Sequence, residues 1–475
     1  MADQSMRTYL GDLARAGELI EVTGTVGARF ELASVLALLD RGPAVRMNTV
    51  DGSPYPVVGN VLNSRDRLAH AIGADVSDLL PRLAAAVADR QAVEIVADAP
   101  VQAVALPAAS VWAEVVTPTF FEKDSGGYIT AGMIVAYDPV TGHRNASYAR
   151  IKPLDETTGF VGIAPNHHLT AMARSAATAG QGLPVAVVLG AHPAIQLAAC
   201  CYLGLGDDEL EHAAALLGEP VRVSRALTSE VLVPAEAEIV IEGLIHADRP
   251  VHEGLVNEYH GMYEDYGDGF TFEVTAVTRR SDPSVHVILP GLSSEHSYIA
   301  ALPIAAGIRH ALRNIGCDIV DVAVTHSGGG RVDVVVSIAN ARPGGAKRVI
   351  FGAFAAVSMV KQVTVVDADV DVWDEEHVHW ARTSRMRWDR DLVLVDGVAT
   401  DRNVPMQRDG MVTKVGMDAT VTAGDRAVGP DLAVPPAHVV RAMRDLLVEE
   451  GWADRLRPAI VVHSALVADG ERIRA

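Results

Sequence analysis

The chain has 475 residues, of which 49% are apolar and 21% are charged, the balance of a folded globular protein with material for about three domains. Its 40 Lys and Arg residues against 60 Asp and Glu residues give a formal net charge of −20. This composition excludes a largely disordered or fibrous chain. So acidic a protein also repels nucleic-acid phosphates and anionic lipid headgroups, so we expect neither nucleic acid nor a membrane as partner.

The cysteines and the N-terminal segment indicate where the protein works. The chain has 3 cysteines, and two of them, Cys200 and Cys201, are adjacent, which is not the pattern of a disulfide framework. The first residues lack the apolar core of a signal peptide. We therefore expect a cytoplasmic protein.

The predicted elements change in character along the chain. Residues 1–105 alternate helical periodicity with short strands, which predicts an N-terminal α/β region. Residues 106–296 form short alternating β-rich runs, interrupted by helices at 168–179 and 208–217, which is typical of an antiparallel barrel or sandwich.

The C-terminal third begins with an apolar segment. Ser297–Ile315 predicts one long helix with Gly316 after its end, so we assign residues 297–316 to a linker helix. A helix this apolar must be buried, under a second domain or against another subunit. Strands and helices then alternate through 317–475, which predicts a C-terminal α/β domain. The fold class is α/β with α+β elements.

Three dispersed polar residues form a candidate metal site. Asn145, His168 and Glu209 together offer a neutral oxygen, an imidazole and a carboxylate, a set that suits Mn²⁺ or Mg²⁺. Each residue alone also has an ordinary explanation as a turn residue, a helix cap or a solvated acid.

Two carboxylates and an arginine form a candidate acid–base network. Glu253 and Glu258 can share one site only if a loop lies between them, and Gly254 and Asn257 supply residues for such a loop. Next to Arg150, one carboxylate would be held ionised while the other exchanges a proton. The alternative is a solvated acidic loop.

The order of these residues resembles the UbiD-like decarboxylases, which bind prenylated FMN. Asn145-Ala-Ser-Tyr-Ala-Arg150 is followed by His168, by Glu209, by the run VPAEAEIVIEG at 233–243, and by Glu253-Gly-Leu-Val-Asn-Glu258. The similarity continues through the segments 360–385 and 414–420. It implies a split β-barrel flavin-binding domain at 106–296 and an oligomerisation role for 317–475.

The resemblance also implies a function for particular residues. Asn145, His168 and Glu209 would bind the divalent metal, Mn²⁺ or Mg²⁺ with K⁺ as a further ion, and Arg150, Glu253 and Glu258 would form the catalytic network with Glu258 as proton donor and acceptor. The remaining residues that line or cover the cofactor would be Ser147, Tyr148, Ala149, His167, Cys200 and Cys201.

The implied reaction is the reversible, non-oxidative decarboxylation of an α,β-unsaturated or (hetero)aromatic carboxylic acid. The cofactor would come from a separate flavin prenyltransferase, and the protein would be a homo-oligomer, most simply a dimer. Two alternatives remain from the residues alone: a metal-dependent hydrolase built on His168, Glu209 and Glu258, and a non-catalytic flavin-binding subunit.

Overall fold

The computed structural model describes residues 3–87, 89–339, 342–421 and 433–456. The chain divides into two compact units, Met1–Pro303 and Ile304–Ala475. Residues 1–105 and 106–296 both lie in the first unit, and the boundary between them stays a prediction.

The first unit contains helices and strands in mixed order. Its helices are α1 (Met6–Arg15), α2 (Glu31–Leu38), α3 (Arg65–Ala71), α4 (Leu79–Ala86), α5 (Val111–Glu114), α6 (His168–Thr178), α7 (Pro193–Ala198) and α8 (Glu209–Leu217). Its strands are β1 (Leu19–Val26), β2 (Ala44–Val50), β3 (Val57–Gly59), β4 (Glu94–Ile95), β5 (Val104–Pro107), β6 (Met133–Tyr137), β7 (Arg144–Tyr148), β8 (Arg150–Pro153), β9 (Thr158–Gly162), β10 (Leu183–Leu189), β11 (Arg222–Arg225), β12 (Leu232–Pro234), β13 (Ile239–His252), β14 (Val256–Asn257), β15 (Tyr263–Glu264), β16 (Asp268–Arg279) and β17 (Val285–His286).

The core of the first unit is an antiparallel sheet of 8 strands in the order β7-β6-β10-β13-β16-β9-β8, with β5 also paired to β16. Val185, Ala186 and Val187 are consecutive residues of β10 and all are fully buried, so this strand is covered on both faces. The prediction of short β-rich runs in residues 106–296 is confirmed. The sheet is a curled half-barrel, in agreement with the predicted fold class.

The two edges of this sheet meet. Strand β7 is one edge and β8 is the other, yet only Ala149 separates Tyr148 at the end of β7 from Arg150 at the start of β8. One residue spans less than 4 Å, so the sheet must curl until its edges lie side by side. We call residues 145–150 the seam.

Smaller sheets flank this half-barrel within the first unit. One has the order β1-β2-β3-β17, one has the order β12-β11-β4, and β14 and β15 form a short hairpin. In the first of these, β1 and β2 are parallel and β2 and β3 are antiparallel, and β17 joins from residues 285–286, so the N-terminal residues contribute to a mixed sheet, while the domain 1–105 stays a prediction.

Both helices predicted inside the barrel region are present. Helix α6 covers His168–Thr178, and α8 begins at Glu209 because the Asp208 side chain caps it by accepting a hydrogen bond from the Leu210 N–H. Gly218 ends α8 in the left-handed conformation, with φ 73°.

The long apolar helix begins earlier than predicted. Helix α9 covers Ser294–Asn314 rather than 297–315: the Ser293 hydroxyl caps it by accepting from the His296 N–H, and both the N–H and the hydroxyl of Ser294 donate to the Asp40 carboxylate. Gly316 follows it with φ +77°, as expected. The boundary between the two units falls inside α9.

The second unit is an α/β unit, as predicted. It contains the strands β18 (Ile319–Val324), β19 (Asp333–Ile338), β20 (Gln362–Asp367), β21 (Leu392–Ala399) and β22 (Met411–Ala419), and the helices α10 (Gly345–Ala356), α11 (Glu375–Arg385) and α12 (Ala437–Glu449). The strands form one mixed sheet in the order β18-β19-β20-β22-β21. Residues 340–341, 422–432 and 457–475 of the predicted domain lie outside the described residues.

The length and apolarity of a helix decide whether it can cross a membrane. Among the described residues, no helix is both long and apolar enough to cross a bilayer.

One structural histidine gives the fold a testable pH dependence. The Nδ1 atom of His192 accepts a hydrogen bond from the Ala194 N–H and so caps α7, and burial lowers the pKa of His192 to about 4. In the unfolded chain this histidine takes up a proton near pH 6.5, whereas in the folded chain it does so only near pH 4. Between these two pH values the unfolded state binds more protons, so the free energy of unfolding decreases as pH falls.

We expect His192→Asn, which keeps a capping side chain, to flatten that dependence. Between pH 7 and pH 4 the wild-type free energy of unfolding should fall by roughly 2 kcal/mol more than that of the variant. Urea unfolding at each pH measures this difference. The exposed His379, changed to Asn, is the matched control, and its curve should run parallel to wild type. Parallel curves for His192→Asn would contradict the assignment.

Candidate active site

The seam holds five of the predicted site residues in one short run of chain. Asn145, Ser147 and Tyr148 lie on β7, Ala149 makes the crossing, and Arg150 opens β8. Asn145 and Ser147 face the same side of β7 because side chains alternate along a strand.

Arg150 contacts both predicted catalytic carboxylates. Its Nε donates to Oε1 of Glu253, and its Nη2 donates to Glu253 Oε2 at 2.5 Å. Its third nitrogen, Nη1, donates to Glu258 Oε1 at 3.0 Å. The alternative of a solvated acidic loop is wrong for Glu253, whose side chain is only 1% exposed, and Glu258 is 12% exposed.

The surroundings keep Arg150 charged. Burial alone would lower the pKa of Arg150, but its hydrogen bonds to Glu253 and the charges of Glu258 and Glu253 outweigh burial and raise that pKa. The ring of Tyr266 lies 5.5 Å from the guanidinium carbon and adds a cation–π contact. The guanidinium is thus a fixed cation held from three sides.

The two carboxylates reach Arg150 by a turn and a hairpin. Glu253 directly follows β13, and Gly254 then reverses the chain with φ +82°. Asn257, which we expected in a loop, lies in the short strand β14, paired with Tyr263 of β15. Glu258 follows β14, and its N–H donates to the Met262 carbonyl across the hairpin. We call residues 253–258 the carboxylate loop.

At the other end of the seam, Asn145 meets Glu209. The Nδ2 of Asn145 donates to Glu209 Oε1 at 3.0 Å, and the Ala146 N–H donates to Glu209 Oε2 at 2.7 Å. The hydroxyl of Ser147 lies 3.3 Å from Asn145 Oδ1. Strand β7 and the first turn of α8 therefore build one polar cluster.

The surroundings of Glu209 make it a candidate cation ligand. Its side chain is buried, and among the described residues no Lys, Arg or His forms an ion pair with it. Burial raises the pKa of Glu209 to about 8, which the hydrogen bond from Ala146 only partly offsets. A buried carboxylate beside an amide oxygen is a ligand pair for a hard divalent cation. His168 opens α6, which packs against β7.

The remaining predicted cofactor residues lie on β7, after α7 and before α6. The Tyr148 hydroxyl donates to Gln196 Oε1 of α7 at 3.1 Å, and Cys200 and Cys201 follow the end of the same helix. Burial, and then the neighbouring Cys200, raise the pKa of Tyr148. His167 is exposed and sits one residue before α6.

The alternative metal site for a hydrolase is wrong. Within the described part of the chain, no three His, Cys, Asp or Glu side chains come together as metal ligands, so His168, Glu209 and Glu258 do not form one. Glu258 binds Arg150, whereas Glu209 binds Asn145.

Sequence reasoning missed a group of residues behind the carboxylate loop. Lys152 donates to the Glu253 carbonyl at 2.6 Å, the Ser125 hydroxyl does the same at 2.6 Å, and the Asp124 carboxylate accepts from the Asn257 N–H at 3.0 Å. A signal existed for Lys152 alone, because it follows Arg150 by two residues and must therefore face the same side of β8.

Family comparisons cover most of the chain. The 3-octaprenyl-4-hydroxybenzoate carboxy-lyase N-terminal domain matches residues 10–87, the Rift-related domain of the same family matches 94–293, and its C-terminal domain matches 297–419.

Individual relatives agree with this match. The chain is 33% identical over 415 residues to an anhydromevalonate phosphate decarboxylase of Methanosarcina mazei, covering 87% of this chain and 95% of the relative. Among solved structures it is similar to the UbiD-class enzyme HmfF from Pelotomaculum thermopropionicum in complex with FMN, with a TM-score of 0.87, 34% identity, and coverage of 91% and 97% of the two chains. An evolved dimeric form of HmfF in complex with prFMN matches with a TM-score of 0.84, 33% identity, and the same coverage of 91% and 97%.

The half-barrel fold, the extent of the family matches and the similarity to these relatives lead to one conclusion. The chain belongs to the UbiD family of carboxy-lyases.

Proposed function

We propose that this protein catalyses the reversible, non-oxidative decarboxylation of an α,β-unsaturated or (hetero)aromatic carboxylic acid with prenylated FMN. Glu258 is the proton donor and acceptor, and Arg150 and Glu253 complete its network. One observation carries the proposal: a single guanidinium binds one carboxylate through two nitrogens and the other through one.

The unequal contacts separate the roles of the two acids. Both oxygens of Glu253 accept from Arg150, so neither is free to carry a proton without losing a charge-assisted bond. Glu258 has one strong contact with Arg150, and its second oxygen lies 3.4 Å from the Tyr259 N–H, a weak interaction. Glu258 is therefore the acid that can gain and lose a proton.

The proton step follows from these contacts. Loss of CO₂ leaves electron density on the carbon that carried it, and a proton must reach that carbon from a group within about 3 Å. Arg150 cannot supply it, because a guanidinium does not deprotonate in proteins. Glu258 delivers the proton and, in the carboxylation direction, takes it back. Arg150 stabilises the carboxylate of Glu258 that remains.

The cofactor supplies the bond-breaking chemistry when it is bound. Asn145, His168 and Glu209 would hold Mn²⁺ or Mg²⁺ against the flavin phosphate, with K⁺ as a further ion, because the buried carboxylate of Glu209 needs a cation. Residues at the seam and beside it would line or cover the flavin: Ser147, Tyr148, Ala149, Arg150, His167, Cys200 and Cys201.

The acid itself is best identified by assay. Similar proteins include an anhydromevalonate phosphate decarboxylase and 3,4-dihydroxybenzoic acid decarboxylases, so different acids are processed on this fold. We propose a panel of cinnamic, hydroxybenzoic, pyrrole, furan and polyenoic acids with anhydromevalonate phosphate. Release of CO₂ from one of them separates an enzyme from a non-catalytic flavin-binding subunit.

The proposal includes partners. A flavin prenyltransferase would supply the cofactor, because prenylated FMN is a modified flavin. We also propose a homo-oligomer, most simply a dimer, since a structure of a related enzyme is a dimeric form.

One prediction of the proposed function concerns the proton. Glu258→Gln should keep the flavin and the fold but reduce kcat by at least about 100-fold, because the amide cannot act as a general acid. Hydrogen–deuterium exchange at the product carbon should disappear with it. The exposed Glu376, changed to Gln, is the matched control and should have wild-type kcat. Normal turnover in Glu258→Gln with an inactive Glu253→Gln would show that the two roles are reversed.

Another prediction of the proposed function concerns the metal. His168→Ala should lose both divalent metal and flavin, because His168 would be one of the residues that hold the metal, and the metal would in turn help to hold the flavin. Elemental analysis and flavin absorbance of purified protein measure both quantities. His379→Ala, an exposed histidine of α11, should retain both. Full metal and flavin content in His168→Ala would remove this residue from the site.

A further inference from the structure

The back of the carboxylate loop, opposite the side chains that bind Arg150, is held by polar groups of residues 124–128 and of β8. Lys152 Nζ and Ser125 Oγ both donate to the Glu253 carbonyl, each at 2.6 Å. The Ser125 N–H donates to the Leu255 carbonyl at 2.8 Å. The Asp124 carboxylate accepts from the Asn257 N–H at 3.0 Å. The backbone of the loop is thus anchored at residues 253, 255 and 257.

The hydroxyl of Ser125 is the centre of this contact. It donates its one proton to the Glu253 carbonyl, so it accepts from Lys152 Nζ at 3.0 Å and from the Tyr128 hydroxyl at 2.9 Å. The hydroxyl therefore uses its donor and both acceptor positions. A residue with its whole hydrogen-bonding capacity engaged is a support rather than a nucleophile.

Lys152 contacts the same carbonyl group as Ser125. Its aliphatic chain lies against Gly126, where a Cβ would come within 2.9 Å of Lys152 Cδ, and its ammonium lies 5.9 Å from the ring centre of Tyr128 and 5.7 Å from that of Phe160. Burial lowers the pKa of Lys152. The ammonium donates to the main-chain carbonyl of Glu253, whereas Arg150, on the same face of β8, binds the Glu253 side chain.

The loop itself is built to accept this support. Gly254 has φ +82°, and a Cβ there would lie 2.9 Å from Ser125 Cβ. Any other residue at 254 would strain the backbone and push Ser125 away from the Glu253 carbonyl. The close approach of the two segments therefore depends on this glycine.

We infer that Lys152, Ser125 and Asp124 are positioning residues of the decarboxylation: they fix the backbone of the carboxylate loop so that Glu258 remains on Arg150 and in reach of the substrate carbon. This inference rests on the proposed function, because it gives Glu258 the proton. Displacement of a catalytic group by about 1 Å can cost 100-fold in rate, so the backbone contacts of the loop control kcat.

The test uses the holoenzyme and the variants Lys152→Met and Ser125→Ala. We expect kcat to fall at least about 10-fold in each, with KM within about twofold of wild type, because the loop acts in the chemical step. Amide hydrogen–deuterium exchange of residues 253–258 should become faster, and flavin content should stay at the wild-type level. Lys152→Arg should restore most of kcat, since it keeps a cationic donor.

Two controls separate positioning from a general effect on folding. Lys347→Met removes a lysine charge from an exposed position on α10 and should change neither kcat nor loop exchange. In the double variant Lys152→Met with Glu258→Gln, the loss caused by Lys152→Met should largely vanish, because it acts through Glu258.

The outcomes distinguish this inference from the proposed function. Unchanged loop exchange and unchanged kcat in both variants would overturn the inference while the decarboxylase stands. Full additivity in the double variant would also overturn it. A wild-type holoenzyme that releases CO₂ from no acid of the panel would overturn the proposed function and the catalytic part of the inference with it, while loop exchange would still show whether Lys152 and Ser125 hold the loop.

Discussion

One covalent constraint organises the first unit: the strands at the two edges of its main sheet are joined by a single residue. Because Ala149 alone connects β7 to β8, the sheet of eight strands has to curl until its edges are adjacent. Neighbouring strands naturally twist relative to one another, and that twist makes the curl possible. Bulges in the pairing of the long strands β13 and β16 mark where the sheet departs from regular geometry.

This closure places two polar clusters at the ends of the same short segment. On one side of Ala149, Asn145 engages Glu209, and on the other side Arg150 engages Glu253 and Glu258. Two polar clusters built on separate domains would move relative to each other with every domain motion. Here five residues of backbone fix their separation.

The two clusters differ in their charge balance. Around the carboxylate loop, Arg150 is ion-paired with both Glu253 and Glu258, so each of these two carboxylates has a cation from the protein. Glu209 has only neutral donors from Asn145 and Ala146, and its raised pKa records the cost of burying a charge without a cation. The first cluster has its cation within the protein, whereas the described residues provide none for Glu209.

The sequence by itself determined what depends on neighbouring residues and on residue type. Local patterns were enough to predict helices at 168–179 and 208–217, which are α6 and α8 in the structure, and the ordered motifs were enough to indicate the family. Only the tertiary structure decided how the parts meet. The contact of Asp40 with the first turn of α9 joins residues 254 positions apart, and the support of Glu253 by Lys152 and Ser125 joins residues 101 and 128 positions apart. Local patterns carry no information about such contacts, because they arise only when the folded chain brings distant groups within hydrogen-bonding distance.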